Sequence, residues 1–147
     1  MKLTLRLAWQ KAGAPAARAF KLPGAYETVS EYAGRLARSG PFALEGGEPA
    51  AGAKVWLLDR GPGAKVLSSE DVAAALGREK DGGTRALEVV VGPPDGFSPA
   101  DVSRLKPALR WSFGPLTLPH ELAAIVACEQ LYRAFSILAR SPYHLGH

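Results

Sequence analysis

Residues 86–101 read Ala86-Leu87-Glu88-Val89-Val90-Val91-Gly92-Pro93-Pro94-Asp95-Gly96-Phe97-Ser98-Pro99-Ala100-Asp101. Ala86 to Val91 is apolar except for Glu88, the pattern of a strand covered on both faces. Gly92 to Gly96 is a turn: glycine lets the backbone approach closely, and proline limits how far it flexes. Ser98-Pro99-Ala100-Asp101 then opens a helix, with a capping serine, proline at the first helical position and an acid two residues later. A buried strand passing through a tight turn into a helix is the unit from which α/β domains are built.

The same alternation extends in both directions. Toward the N-terminus, Ser68-Ser69-Glu70-Asp71 starts a helix, with Ser68 as cap and Asp71 three residues on. Lys54 to Asp59 carries Val55-Trp56-Leu57-Leu58, a second strand covered on both sides. Pro41 to Glu45 reads as a short strand. Residues 24–39 place Tyr26, Val29, Ala33, Leu36 and Ala37 at helical spacing, and Gly40-Pro41 stops that helix. Lys2 to Trp9 alternates, with Leu3, Leu5, Leu7 and Trp9 on one face, as a strand with one polar side does. Toward the C-terminus, Arg110 to Phe113 alternates as a strand, and a helix runs from Pro119 to about Arg140. The expected architecture is a single α/β domain over 1–147 with a mostly parallel sheet flanked by helices. Ligands of such sheets sit outside the carboxyl ends of the strands. Three glycine- and proline-bearing turns follow strands here: 58–61, 92–96 and 114–119.

Composition narrows the class. The chain has 147 residues, 47% hydrophobic and 22% charged, which suits one folded domain and argues against disorder. The single cysteine, Cys128, excludes an internal disulfide framework, so a reducing cytoplasm is expected. Met1 to Gln10 lacks the apolar core of a signal peptide. No uncharged apolar run is long enough to span a membrane, so no membrane partner is expected. The net charge of +4 is spread mildly, +3 over 1–50, −1 over 51–100 and +2 over 101–147. That permits a nucleic-acid partner without demanding one.

Three segments together resemble the large-subunit ribosomal RNA methyltransferase H family, a small group within the SPOUT superfamily. They are Phe113-Gly114-Pro115-Leu116-Thr117-Leu118-Pro119-His120, Glu129-Gln130-Leu131-Tyr132-Arg133-Ala134-Phe135-Ser136-Ile137 and Pro142-Tyr143-His144. Leu57-Leu58-Asp59, Ser68-Ser69-Glu70 and Val91-Gly92 with Asp95-Gly96-Phe97-Ser98 stand upstream in the family's order. The resemblance implies a SPOUT-type α/β knot fold with a C-terminal trefoil knot, dimerising through the C-terminal helix. It implies S-adenosylmethionine as cofactor and methyl transfer to N3 of a pseudouridine in 23S ribosomal RNA, so that ribosomal RNA, the large subunit or the ribosome is the partner. The cofactor positions it implies are Leu58, Gly92, Pro93, Phe113, Gly114, Pro115, Leu116, Thr117 and Leu118; the catalytic ones are His144, Glu129, Arg133 and Tyr143. Two departures stand out: Pro93 where the family has a second glycine, and Leu145 where it has a basic residue. They imply an alternative, a catalytically weakened or inactive SPOUT-fold dimer that binds RNA or the ribosome.

The chemistry suits these residue types. Leu58, Phe113, Leu116 and Leu118 can wall an adenine slot whose edge contacts come from turn backbone. Methyl displacement from a sulfonium asks the protein chiefly for alignment and exclusion of water. The pyrimidine imide proton must leave, and His144, Glu129 or bulk water can accept it. Arg133 is expected to face RNA phosphate or the partner subunit, on one helical face with Glu129, Ser136 and Arg140. Leu122, Ile125, Val126, Leu131, Phe135 and Leu138 make that helix apolar on more than one side, which a dimer interface would cover. The plainer readings are a surface ion pair for Glu129 and Arg133 and a frayed tail for His144. His144 and His147 stand three apart, but with Cys128 inside a helix and no carboxylate cluster nearby, no metal is expected. Cys128 reads as a small core residue, and Trp9, Trp56 and Trp111 as packing residues.

Overall fold

In the computed structural model, which describes residues 1–145, six strands form one sheet: β1 (Lys2–Leu7), β2 (Phe42–Gly46), β3 (Lys54–Leu58), β4 (Lys65–Val66), β5 (Ala86–Val91) and β6 (Leu109–Ser112). Four helices accompany them: α1 (Ala25–Ser39), α2 (Ser69–Asp81), α3 (Pro99–Leu105) and α4 (His120–Leu138). The His144/His147 spacing reaches His147, which lies outside the described residues. The strand order is β2-β1-β5-β3-β6-β4, and every pair is parallel. All carboxyl ends therefore share one edge. The register sharpens this: Gly46, Leu7, Val91, Leu58, Trp111 and Lys65 form a single row across the sheet. Four turns thus leave the sheet at one level, after β1, β5, β3 and β6.

Both expected capping boxes are present. Ser68 and Asp71 exchange side chain and backbone bonds at the start of α2, and Ser98 and Asp101 do the same at α3. Each spares a helix start two unpaired amides. The core lies between one face of the sheet and α1, α2 and α4. Leu3, Leu5, Leu7, Leu87 and Val89 meet Val29, Leu36, Val72, Leu76, Cys128 and Leu131 there. The opposite face is thinner, with Val55, Leu57 and Val90 packed against Phe97 and the α3 residues Val102 and Leu105.

That thin face corrects the reading of β1 as a strand with one polar side. Thr4 and Arg6 are buried. Arg6 donates to both carboxylate oxygens of Glu88 at 2.7 and 3.1 Å and to the Gly46 carbonyl at 2.9 Å. Glu88 also accepts the Ala50 amide at 3.0 Å, which folds the 46–53 loop over the pair. Burying two charges is tolerable only because each is paired and hydrogen-bonded. Two elements lie outside the sequence reading, the two-residue β4 and a 3₁₀ turn over Ala16–Ala19.

The faces of α4 also differ from expectation. Leu131 is fully buried inside the protomer, and Ser136 is buried with its hydroxyl on the Tyr132 carbonyl. Ser136 therefore does not share an outward face with Arg133, and Arg140 stands beyond the helix in a left-handed conformation. Leu122 and Leu138 are the exposed apolar residues of the helix.

Candidate active site

The turns after β3, β5 and β6 close around one cavity of about 380 Å³ at the carboxyl edge of the sheet. Leu58, Gly92, Pro93, Phe113, Leu116 and Leu118 line it, so six of the nine expected cofactor positions meet there. Gly114, Pro115 and Thr117 belong to the same β6 turn but are not on its wall. Sequence reasoning did not single out Asp59, Arg60, Asp95, Phe97 or His120 as wall residues, nor Trp111, which it assigned to packing alone. Adjacency was the available signal: Asp59 follows Leu58, and Asp95 and Phe97 close the Gly92 turn.

Local chemistry holds these bends in shape. Gly114 has φ +101°, a conformation side-chain-bearing residues rarely adopt, and its amide donates to Ser112 Oγ at 3.0 Å. In the β5 turn, the Gly96 amide donates to the Pro93 carbonyl at 2.8 Å. Gly92 lies so close to Phe97 that a Cβ there would stand 2.9 Å from the ring. Two ties join the β3 bend to β6, one to the strand and one to its bend. Arg110 donates twice to Asp59 Oδ2, at 2.9 and 2.5 Å, and once to the Pro62 carbonyl at 2.7 Å. Arg60 donates to Thr117 Oγ1 at 2.6 Å. Burial works to raise the Asp59 carboxyl, but Arg110 and the amides of Gly61 and Arg60 outweigh it and hold the group below its ordinary value.

The four expected catalytic residues are brought together, but not on that wall. Glu129 accepts from Arg133 Nε and Nη2 at 2.9 and 2.7 Å and from the Tyr143 hydroxyl at 3.2 Å. Its other oxygen accepts from Gln130 at 2.8 Å. Arg133 Nη1 lies 3.1 Å from His144 Nδ1, and His144 Nε2 lies 2.7 Å from Glu70. A guanidinium only donates, so Nδ1 carries the lone pair and Nε2–H points at the Glu70 carboxylate. That contact, with further hydrogen bonds, keeps the Glu70 carboxyl below its usual value. Burial first, then the Glu129 charge, push the Tyr143 phenol up to about 12, so it remains a donor through the neutral range. Arg133 also covers the Tyr143 ring, 5.0 Å from its centroid. The Glu129–Arg133 pair is mostly buried, more than a loose surface pair. His144 is held at both nitrogens, more than a frayed tail. The helix rise places Glu129 about 9 Å and Arg133 about 15 Å along α4 from the cavity residue Ala123.

Cys128 is buried in the core as expected, its thiol pushed up to about 12 by desolvation. Trp56 and Trp111 are buried, and Trp9 is half-buried with its ring against His120. Among the described residues, no group of three histidine, cysteine, aspartate or glutamate side chains is placed to hold a metal ion. No helix among them is long and apolar enough to cross a membrane.

Comparison with known proteins places the chain in a family. Residues 47–144, which hold all three cavity bends and the Glu129 cluster, match the family described as "Predicted SPOUT methyltransferase". The chain belongs to the SPOUT methyltransferases. Among curated relatives, one from Brucella ovis named ribosomal RNA large subunit methyltransferase H is 47% identical over 116 residues, 78% of this chain and 66% of that protein. A relative of the same name from Xanthobacter autotrophicus is 45% identical over 94 residues, 64% of this chain and 56% of its own length. Another, from Brucella suis, is 50% identical over 92 residues, 63% of this chain and 50% of its own length. The chain thus spans just under two thirds of the Brucella ovis protein. In this SPOUT chain the parallel sheet flanked by helices is the expected architecture, with its strand ends converging on the cavity.

Proposed function

We propose that this SPOUT protein transfers a methyl group from S-adenosylmethionine to N3 of a pseudouridine in large-subunit ribosomal RNA. The observation that carries the proposal is the convergence of three separate bends on one cavity, within a chain of this family. The donor set fits the cofactor. The cavity lies in the size range of small-molecule sites, and its walls mix apolar side chains with polar ones; Asp95 adds a carboxylate that favours a cationic ligand, while that of Asp59 is already tied to Arg110. The close approach of Gly92 to Phe97 leaves no spare volume on that side. When bound, S-adenosylmethionine supplies an already activated methyl group.

The chain's own work is then alignment and proton transfer. Leu58, Phe113, Leu116 and Leu118 exclude water, and the Arg110–Asp59 and Arg60–Thr117 ties keep two walls in register. As the nitrogen–methyl bond forms, the N3 proton passes to His144 Nδ1. We favour His144 over Glu129 because only one contact, from Arg133 Nη1, must give way for Nδ1 to take the proton, whereas Glu129 is held by four donor contacts from Arg133, Tyr143 and Gln130. Glu129 instead fixes Arg133, which in turn orients the imidazole. The distance between this cluster and the cavity along α4 is met by a homodimer that sets the cluster of one copy over the cavity of the other. Leu116 on the cavity wall and Leu122 on α4 beside the cavity residue Ala123 are both exposed, and together they support such an interface. A trefoil knot, with α4 threaded behind the bends, belongs to the same reading.

Calorimetric titration with S-adenosylmethionine tests the cavity, and methyl transfer to ribosomes tests the substrate. Saturable binding with methylated large-subunit RNA supports the reading. No binding at millimolar cofactor, with ribosome binding intact, supports the inactive RNA-binding alternative, for which Pro93 on the cavity wall, lacking an amide donor, is the structural argument.

A further inference from the structure

A fourth bend, the segment after β1, leaves the sheet at the same row, and the methyl-transfer reading gives it no task. It is fastened to the rim of the cavity at both ends. At its start, the Ala8 amide donates to the Val91 carbonyl at 2.9 Å. The Trp9 ring stands edge-on to His120 with centroids 4.6 Å apart, and Trp9 Nε1 donates to the Ala19 carbonyl at 3.0 Å. At its end, the buried Glu121 carboxylate accepts the amides of Lys21 and Leu22 at 2.7 and 3.0 Å. Val91 and His120 both line the cavity. Inside the segment, Gln10 Nε2 donates to the Pro15 carbonyl at 3.1 Å.

This braced segment turns Lys11, Arg18 and Lys21 to solvent. No acid occurs between Ala8 and Tyr26, and no ion pair among the described residues engages any of the three. Arg60 adds a further exposed cation on the cavity wall. Three uncompensated cations on a pre-ordered loop make a local positive field beside the site, in a chain whose middle third is slightly acidic. Ordering such a loop before binding lowers the entropy lost on contact.

We propose that residues 8–22 form a docking arm for the RNA substrate, with Lys11, Arg18 and Lys21 holding backbone phosphates on the strand that presents its base to the cavity. The proposal rests on the ribosomal RNA reading above and deepens it. Phosphate contacts of this kind set register and carry no base specificity, which is left to the cavity.

The test compares two triple variants of equal charge loss. One is Lys11→Gln/Arg18→Gln/Lys21→Gln. The other is Arg38→Gln/Arg78→Gln/Arg85→Gln, whose residues are exposed near the opposite edge of the sheet. Binding to bacterial ribosomes is measured by co-sedimentation between about 50 and 200 mM salt. Three lost phosphate contacts flatten the slope of log K against log salt by about 2 to 3 and weaken binding on the order of a hundredfold near 0.1 M salt. Each single substitution takes about a third of the slope change. The opposite-edge variant keeps the wild-type slope, and both variants keep wild-type affinity for S-adenosylmethionine. Wild-type slope and affinity in the arm variant overturn the proposal, as does an equal loss in the opposite-edge variant. If the wild-type protein methylates ribosomes while the arm variant binds them normally, the arm alone is wrong. If the wild-type protein neither binds nor methylates ribosomes, the ribosomal RNA reading fails, and the arm with it.

Discussion

Gly92→Ala puts a single methyl group at the most crowded point of the proposed cofactor cavity. The new Cβ would lie 2.9 Å from Phe97 Cε2 and 3.1 Å from Cζ. Carbon atoms pack comfortably at about 3.5–4.0 Å, so the ring must shift by roughly half an ångström or more. Phe97 cannot yield freely. On one side it lines the cavity, and on the other it packs with Val102 and Leu105 under the thin face of the sheet. Overpacking of this kind costs about 1–3 kcal/mol. If the ring swings into the cavity, that cost falls on binding, and affinity for S-adenosylmethionine drops about fivefold to a hundredfold. If it retreats toward α3, the melting temperature falls instead. Calorimetry on Gly92→Ala, Phe97→Leu and the double variant separates the two. Phe97→Leu removes the ring edge, so the double variant recovers most of the lost affinity, with a coupling of about 1 kcal/mol or more. Wild-type affinity and melting temperature in Gly92→Ala, or strictly additive effects in the double variant, would refute the steric argument.

Other expected outcomes test other parts of the structure. Glu88→Ala removes the buried partner of Arg6 and the acceptor of the Ala50 amide, leaving Arg6 with the half-exposed Glu45 at 3.3 Å and the Gly46 carbonyl, so urea unfolding should show a loss of about 2–4 kcal/mol, just under that of a fully stranded buried charge; a loss under about 1 kcal/mol contradicts the pair's burial. Because the folded Asp59 carboxyl is held below its ordinary 3.8, its pairing with Arg110 stabilises the protein above that value and is lost as pH falls through the lower folded value. Asp59→Asn should therefore be clearly less stable than wild type at neutral pH and approach it below about pH 4, with a pH-independent gap as the contrary result. Leu122→Asp places a charge on the exposed apolar face of α4 and should give monomers in sedimentation equilibrium; an intact dimer rules that face out. Cys128 should resist a thiol-specific reagent in the native protein at mildly alkaline pH and react fully once unfolded, since burial pushes its thiol to about 12; rapid native labelling contradicts its place in the core.

Local signals carried the fold far. The valine run of β5, the serine–acid capping boxes and the proline-led start of α3 are decided within a few residues, and the structure has each of them. Arg6 shows where such signals stop. Alternation assigns it to water, yet its partner Glu88 lies 82 residues away, and only the assembled sheet brings the two together. Lys65 and Val66 form too short a strand to show any period, and pair only because Trp111 and Ser112 are already in place. At the site, glycine and proline marked the bends, while Asp59 and His120 became wall residues through strand register and the position of α4. The Glu129–Arg133 spacing was legible as an ion pair. The link from Arg133 through His144 to Glu70 depends on the tail folding back onto α2, which no local pattern announces.

The most direct test of the account is methyl transfer from isotopically labelled S-adenosylmethionine to ribosomes that lack the modification, followed by nucleoside analysis of the large-subunit RNA by mass spectrometry. The account predicts label in a single 3-methylpseudouridine, sharply reduced by His144→Ala and lowered in step with cofactor affinity by Gly92→Ala. Label in any other nucleoside, or none at all while the cofactor is bound, would contradict it.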